Sequence, residues 1–120
     1  TNTAALAFGG YTTTDVAITE SWNGSSWTEV NDLTEAVNSL SGAGTNTAAL
    51  SIGGGTPRTK SWNGTNWSND SQMNTARGSL ASDGTQTAAI AMGGSPPVTG
   101  ATEEWIGTGL YIETLTTTED

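Results

Sequence analysis

One ten-residue phrase occurs three times in this 120-residue chain, and nothing else in the sequence limits the fold so tightly. Thr1-Asn2-Thr3-Ala4-Ala5-Leu6-Ala7-Phe8-Gly9-Gly10 returns as Thr45-Asn46-Thr47-Ala48-Ala49-Leu50-Ser51-Ile52-Gly53-Gly54. It returns again as Thr85-Gln86-Thr87-Ala88-Ala89-Ile90-Ala91-Met92-Gly93-Gly94. A second block follows each copy: Glu20-Ser21-Trp22-Asn23-Gly24-Ser25-Ser26-Trp27, then Lys60-Ser61-Trp62-Asn63-Gly64-Thr65-Asn66-Trp67. The third copy of that block is altered to Glu103-Glu104-Trp105-Ile106-Gly107-Thr108-Gly109-Leu110. A linker block, Leu33–Leu40, matches Met73–Leu80. Three registers that repeat together, with a period near forty residues, mean a stacked array of one supersecondary unit.

Each unit reads as four short strands. Ser39–Ala43 and Ser79–Asp83 are expected to form a first strand of small residues. Gly44-Thr45-Asn46 and Gly84-Thr85-Gln86 then turn into the Ala-Ala-Leu-Ala-Phe run as a second strand, which has the continuous apolar pattern of a strand covered on both faces. Gly-Gly ends it, as expected where neighbouring backbone comes too close for a Cβ. Third and fourth strands follow as a hairpin about Asn23-Gly24 or Asn63-Gly64, the strongest short signal for a type I′ turn. Composition agrees, since a chain with 33% hydrophobic and 12% charged residues draws the rest from Thr, Ser, Asn and Gly, which are strand and turn formers. The expectation is all-β: about three four-stranded antiparallel β-propeller blades that leave a ring incomplete. Residues 1–38 would be a first blade lacking its first strand, plus a linker. Residues 39–78 would be the second blade and linker, and 79–120 the third blade with a Thr-rich tail, all in one repeat domain.

The Trp pairs then have a structural reading. Trp22 with Trp27, and Trp62 with Trp67, stand on opposite arms of one hairpin, with Trp105 in the third unit. Positions that recur in every unit fill space between blades more readily than they form a sugar-stacking platform. Leu110 stands where Trp27 and Trp67 stand, so the third blade is expected to pack differently or end the array.

The pattern resembles the kelch repeat family. The features that carry the resemblance are the paired glycines Gly9-Gly10, Gly53-Gly54 and Gly93-Gly94, the fourth-strand Trp, and the Arg77-x-x-Leu80 step into the next blade. The chain departs from the family pattern where Val37 replaces the Arg in the first linker and where the third strands lack a Tyr. The resemblance implies four-stranded blades around a central axis. The wording Thr-Asn-Thr-Ala-Ala-Leu with Ser-Trp-Asn-Gly is similar to kelch-like repeats of bacteriophage tail and fibre proteins.

Closed propellers need roughly four to eight blades, and open ends leave sheet faces and edges uncovered. The expected partners are therefore the rest of a longer parent chain, the favoured case, or other copies of this one. In the second case Thr114–Asp120 could lend the missing inner strand to Thr1–Phe8 of a neighbour.

Chemistry is thin. The chain has no His and no Cys, which removes the commonest general base, the usual zinc ligands and thiol catalysis. Glu103 and Glu104 are adjacent, so on a strand they would point to opposite faces; both are expected at a solvated edge. The Asp residues form no calcium-loop pattern, and no Gly-rich stretch has phosphate-loop spacing. Asn23, Asn63, Asn66 and Asn69 fit the glycosylation pattern, with hairpin turns the better explanation for the first two. A net charge of −9 with Arg58, Lys60 and Arg77 as the only cations argues against nucleic acid and anionic membranes. The apolar runs are too short for a membrane-spanning helix. No cofactor, metal or catalytic residue is expected.

Function, if local, belongs to what does not repeat. The loops Tyr11–Ile18, Gly55–Thr59 and Ser95–Ala101 vary while their flanking strands hold. The candidate binding residues are Tyr11, Thr13, Asp15, Thr56, Arg58, Pro96, Pro97 and Thr99. The leading expectation is a non-enzymatic module of a viral or extracellular assembly, located on a virion surface or outside the cell. Its role would be structural, or attachment to a glycan or protein receptor, or both. The alternatives are a protein-interaction scaffold of the cellular kelch type and a non-catalytic part of a carbohydrate-active enzyme.

Overall fold

The computed structural model describes all residues except Pro97, Thr108, Gly109 and 115–120. Among the described residues the chain is all-β, with eleven strands in three antiparallel sheets. The first sheet holds β1 (Ala5–Phe8), β2 (Thr19–Trp22) and β3 (Trp27–Val30) in that order. The second holds β4 (Leu40–Gly44), β5 (Ala49–Gly53), β6 (Thr59–Trp62) and β7 (Trp67–Asp70). The third holds β8 (Ala81–Thr85), β9 (Ala88–Met92), β10 (Thr102–Ile106) and β11 (Leu110–Thr114). Each sheet is a meander, so each is one propeller-like blade; β4 and β8 are the inner strands of the second and third, and β1 corresponds to the second strands β5 and β9. The innermost strands meet across blades: Ser41 Oγ lies 2.5 Å from Ser82 Oγ, and Ser82 Oγ donates to Gly42 O at 2.8 Å.

Two local expectations need correction. Ser39 and Ser79 are not the first residues of the inner strands, because both hold positive φ (56° and 50°), which no extended strand admits. The strands begin at Leu40 and Ala81 and end at Gly44 and Thr85, so Gly44, Gly84 and Thr85 belong to the strands rather than to the turns. Thr45 and Ala48 close that turn by exchanging backbone hydrogen bonds.

The Asn-Gly hairpins also differ. Trp22 pairs with Trp27 and Trp62 with Trp67, so the central turn residues are Gly24-Ser25 and Gly64-Thr65. Gly24 (φ 99°) and Gly64 (φ 98°) carry positive φ while Asn23 and Asn63 do not. Positive φ at the first central position alone matches a type II′ turn. Asn23 Oδ1 instead accepts from Ser25 N and Ser26 N, both at 2.9 Å, and Asn63 Oδ1 does the same for Thr65 and Asn66. In the third blade the register sets Tyr111, not Leu110, opposite Trp105.

Blades stack through two unlike faces. Between the first and second blades, Leu6 and Phe8 with Leu33 and Val37 of the linker cover Ala49, Trp62 and Trp67. Between the second and third, Leu50 and Ile52 with linker Met73 cover Ala89, Ala91 and Trp105. Only the middle blade is covered on both sides, so β5 is buried at every residue while β9 alternates exposed and buried. Trp62, Trp67 and Trp105 are buried as interblade filling, with Phe8 edge-on to Trp67 at 4.8 Å. Each buried indole N–H is satisfied: Trp62 donates to Asn46 O, Trp105 to Gln86 O, and Trp67 to Thr19 Oγ1. The same role is not filled in the first blade, where Trp22 is half-buried and Trp27 is 49% exposed.

Candidate binding face

The Gly-Gly pairs bring the three variable loops onto one rim. Gly53 and Gly54 show why Gly is required. Both have positive φ (76° and 99°), and a Cβ would lie 2.6 Å from Arg77 O at the first and 2.1 Å from Val37 Cγ2 at the second. Gly10 differs, since open space surrounds it and only its φ of 113° calls for Gly. Past these glycines the chain is stitched to the linkers. Gly10 N donates to Val37 O, Gly54 N and Gly55 N to Arg77 O, Gly78 and Ser95 bond reciprocally, and Ser79 N donates to Ser39 O. First loop, first linker, second loop, second linker and third loop therefore follow one another along one end of the blades.

On this rim Tyr11 is 65% exposed and is bridged to Asp15 through backbone pairing, with Thr13 exposed at the loop tip. Asp15 Oδ1 accepts from Asn38 Nδ2 at 2.5 Å, which fixes the loop to the linker. Thr56 is half-buried; its Oγ1 accepts from Arg58 N at 3.2 Å, and its backbone bridges Arg77. Pro96 is exposed, and Thr99 Oγ1 accepts from Ala101 N at 3.0 Å. Pro97 lies outside the described residues. Val98, which the sequence did not single out, is 90% exposed beside Pro96 and Thr99. Its signal was its position at the tip of a Pro-containing variable loop.

The charged residues are arranged in two sets. Glu35 in the first linker accepts from Arg58 Nη1 at 2.8 Å and from Lys60 Nζ at 3.1 Å. Lys60 is buried and Glu35 is 35% exposed. Burial pushes the Glu35 carboxyl up, but the hydrogen bond and charge of Lys60, and then Arg58, outweigh it and hold the carboxyl below its ordinary value. Glu103 corrects the sequence expectation. It is not at a solvated edge but fully buried, paired with Arg77, and also accepts from Asn74 N at 2.6 Å and Thr75 N at 3.3 Å. Arg77 completes the set by donating to Gly93 O at 3.1 Å and Ala101 O at 2.8 Å. Glu104 points the other way and is exposed. Among the described residues no three of His, Cys, Asp or Glu cluster as metal ligands.

No helix of the described residues is long and apolar enough to cross a membrane. No protein-family model matches this chain, and no curated protein sequence matches it.

Proposed function

We propose that this chain is a non-enzymatic, kelch-like β-propeller module of a viral (phage tail- or fibre-like) or extracellular assembly, which attaches to a cell-surface glycan or receptor through its loop rim. The observation that carries this reading is the continuous row of three dissimilar loops on a repeated scaffold. Loops that vary on rigid, repeated elements are where binding residues are placed without cost to the core. The rim offers an exposed aromatic ring at Tyr11, an exposed apolar side chain at Val98, and hydroxyls at Thr13 and Thr99. An aromatic face beside hydroxyl donors suits a sugar, whose rings present C–H faces and hydroxyl edges. Lys60 and Arg77 are engaged in interblade pairs, and the exposed rim charges Arg58 and Asp15 are themselves engaged with Glu35 and Asn38.

A glycan array read with the full chain tests this. Binding should fall about tenfold or more on Tyr11→Ala, the hot-spot residue type on the rim. It should survive Glu104→Gln, which lies off the rim. Binding that is indifferent to Tyr11 and to exchange of all three loops would overturn the attachment role. Hydrolysis of a polysaccharide by the chain would overturn the non-enzymatic one.

A further inference from the structure

The first blade carries three unfilled positions that are filled in the other two. Among the described residues its sheet order makes β1 an unpaired edge, whereas β5 and β9 are each paired with an inner strand. Beside that edge a groove of about 680 Å³ opens between β1 and β4, with Ala5, Ala7, Ser41, Gly42 and Ala43 in its walls. Its Trp face has no neighbour among the described residues, and Trp27 is 49% exposed where its counterpart Trp67 is 6%. The third position is charged. Glu20 aligns two residues before Trp22, as Lys60 does before Trp62 and Glu103 before Trp105. Lys60 is met by an acid from the preceding linker, and Glu103 by an Arg from the preceding linker. Glu20 is exposed and makes no ion pair among the described residues.

Resting on the propeller reading, we infer that the Trp22–Trp27 face is a docking site for one more blade of this repeat whose linker carries Arg at the place of Arg77. The two internal interfaces define that occupant. A Leu/Phe or Leu/Ile pair from its second strand would cover Ala5, Trp22 and Trp27, as Leu6 and Phe8 cover Ala49, Trp62 and Trp67. A five-residue small-side-chain strand would pair with β1 antiparallel, as β4 does with β5 and β8 with β9. The acid at Glu20 is of the Glu103 kind, so it calls for the Arg77 kind of linker and rejects the Glu35 kind. A second copy of this chain does not meet the requirement. Its only cationic side chains are Arg58, Lys60 and Arg77; the first two share Glu35 and the third is held by Glu103. Its uncovered third-blade face, Ile90 and Met92, also carries Glu104, which would bring like charge toward Glu20 and Glu29. Juxtaposed like charges at an interface oppose association.

The test repeats Ser39–Gly84 ahead of Thr1, with the copied Trp62 and Trp67 replaced by Phe so that the added blade brings no exposed indole of its own, and the copied Gly84 joins Thr1 as Gly84 joins Thr85. Acrylamide quenching of Trp fluorescence should fall in the extended chain, and its Tm should rise by about 5 °C or more. Arg→Glu at the copied Arg77 should abolish both gains, and adding Glu20→Lys should restore them. Quenching that stays unchanged on extension would overturn the docking site; gains that ignore the charge at the copied Arg77 would overturn the pairing rule. In the unextended chain, Glu20→Lys should leave Tm unchanged, and Trp27 should stay accessible as protein concentration rises. A marked fall in Tm, or protection of Trp27 at high concentration, would show that this chain or a second copy already satisfies the face, against the inference. Loss of glycan binding with these results intact would fail the attachment role alone.

Discussion

The two interblade interfaces use the same scaffold with opposite charge. Between the first and second blades the linker supplies the acid, Glu35, and the blade supplies the buried cation, Lys60. Between the second and third the linker supplies the cation, Arg77, and the blade supplies the buried acid, Glu103. The first pair keeps its carboxylate 35% exposed, while both members of the second are removed from water. Arg77 suits that place because its guanidinium reaches two carbonyls and the carboxylate at once, and Glu103 is further held by two backbone N–H groups. Val37 sits where Arg77 would in the first linker and is buried against Trp62 and Trp67 instead. The charge therefore travels as a matched set, linker with following blade. A single exchange within a set leaves a buried ion without its counterpart.

Substitutions at these sets separate the two interfaces. Arg77→Ala should have the largest effect, a loss of about 3–5 kcal/mol in chemical denaturation, because Glu103 stays buried without its cation. Trp67→Ala comes next, at about 3–4 kcal/mol for a buried ring. Trp27→Ala, at the same position in the first blade, should cost about 1 kcal/mol or less, since surface sites that bury little lose little. Equal losses at the two would show that the first blade's Trp face is covered. Glu35→Gln should cost about 1 kcal/mol, an exposed-side pair being weak while Lys60 loses its anion.

The smallest effect is one of pH. The folded Glu35 carboxyl titrates below its ordinary value of 4.5, so the unfolded chain takes up the proton first. Its contribution is present above that ordinary value and is lost as pH falls through the lower folded one. With a partly exposed, solvent-screened carboxylate the loss should be about a few tenths of a kcal/mol. Comparing acid unfolding of the parent and Glu35→Gln isolates it: the parent's advantage should shrink as pH falls below 4.5, and an advantage that grew toward acid pH would reverse the assignment.

Strand number, strand order and the interblade use of Trp62, Trp67 and Trp105 could be read from the repeats, because local pattern and burial agree there. The rim could be read as well, since loops that vary between constant strands must share an end of the array. What escaped were features decided by distant residues. Glu103 looks like a solvated acid until Arg77, 26 residues earlier, is placed against it. Trp27 looks like Trp67 in sequence and differs only because one has a neighbouring blade. Asn23 looks like a central turn residue, but its side chain caps the turn one place earlier. The shift of the inner strands by one or two residues follows from the positive φ at Ser39 and Ser79, which side-chain type does not announce.

The near-contact of Ser41 and Ser82 has a further consequence for shape. The second and third sheets meet at their inner strands through these two small hydroxyl side chains, while farther out the same gap holds Leu50, Ile52, Met73 and Trp105. This interface is thus a wedge, thin at one edge and thick at the other, and the array must curve toward its thin edge there. Curvature is set by the ratio of those thicknesses, not by any contact across an axis. A larger side chain at Ser41 would straighten the array, and a smaller one than Met73 would bend it more.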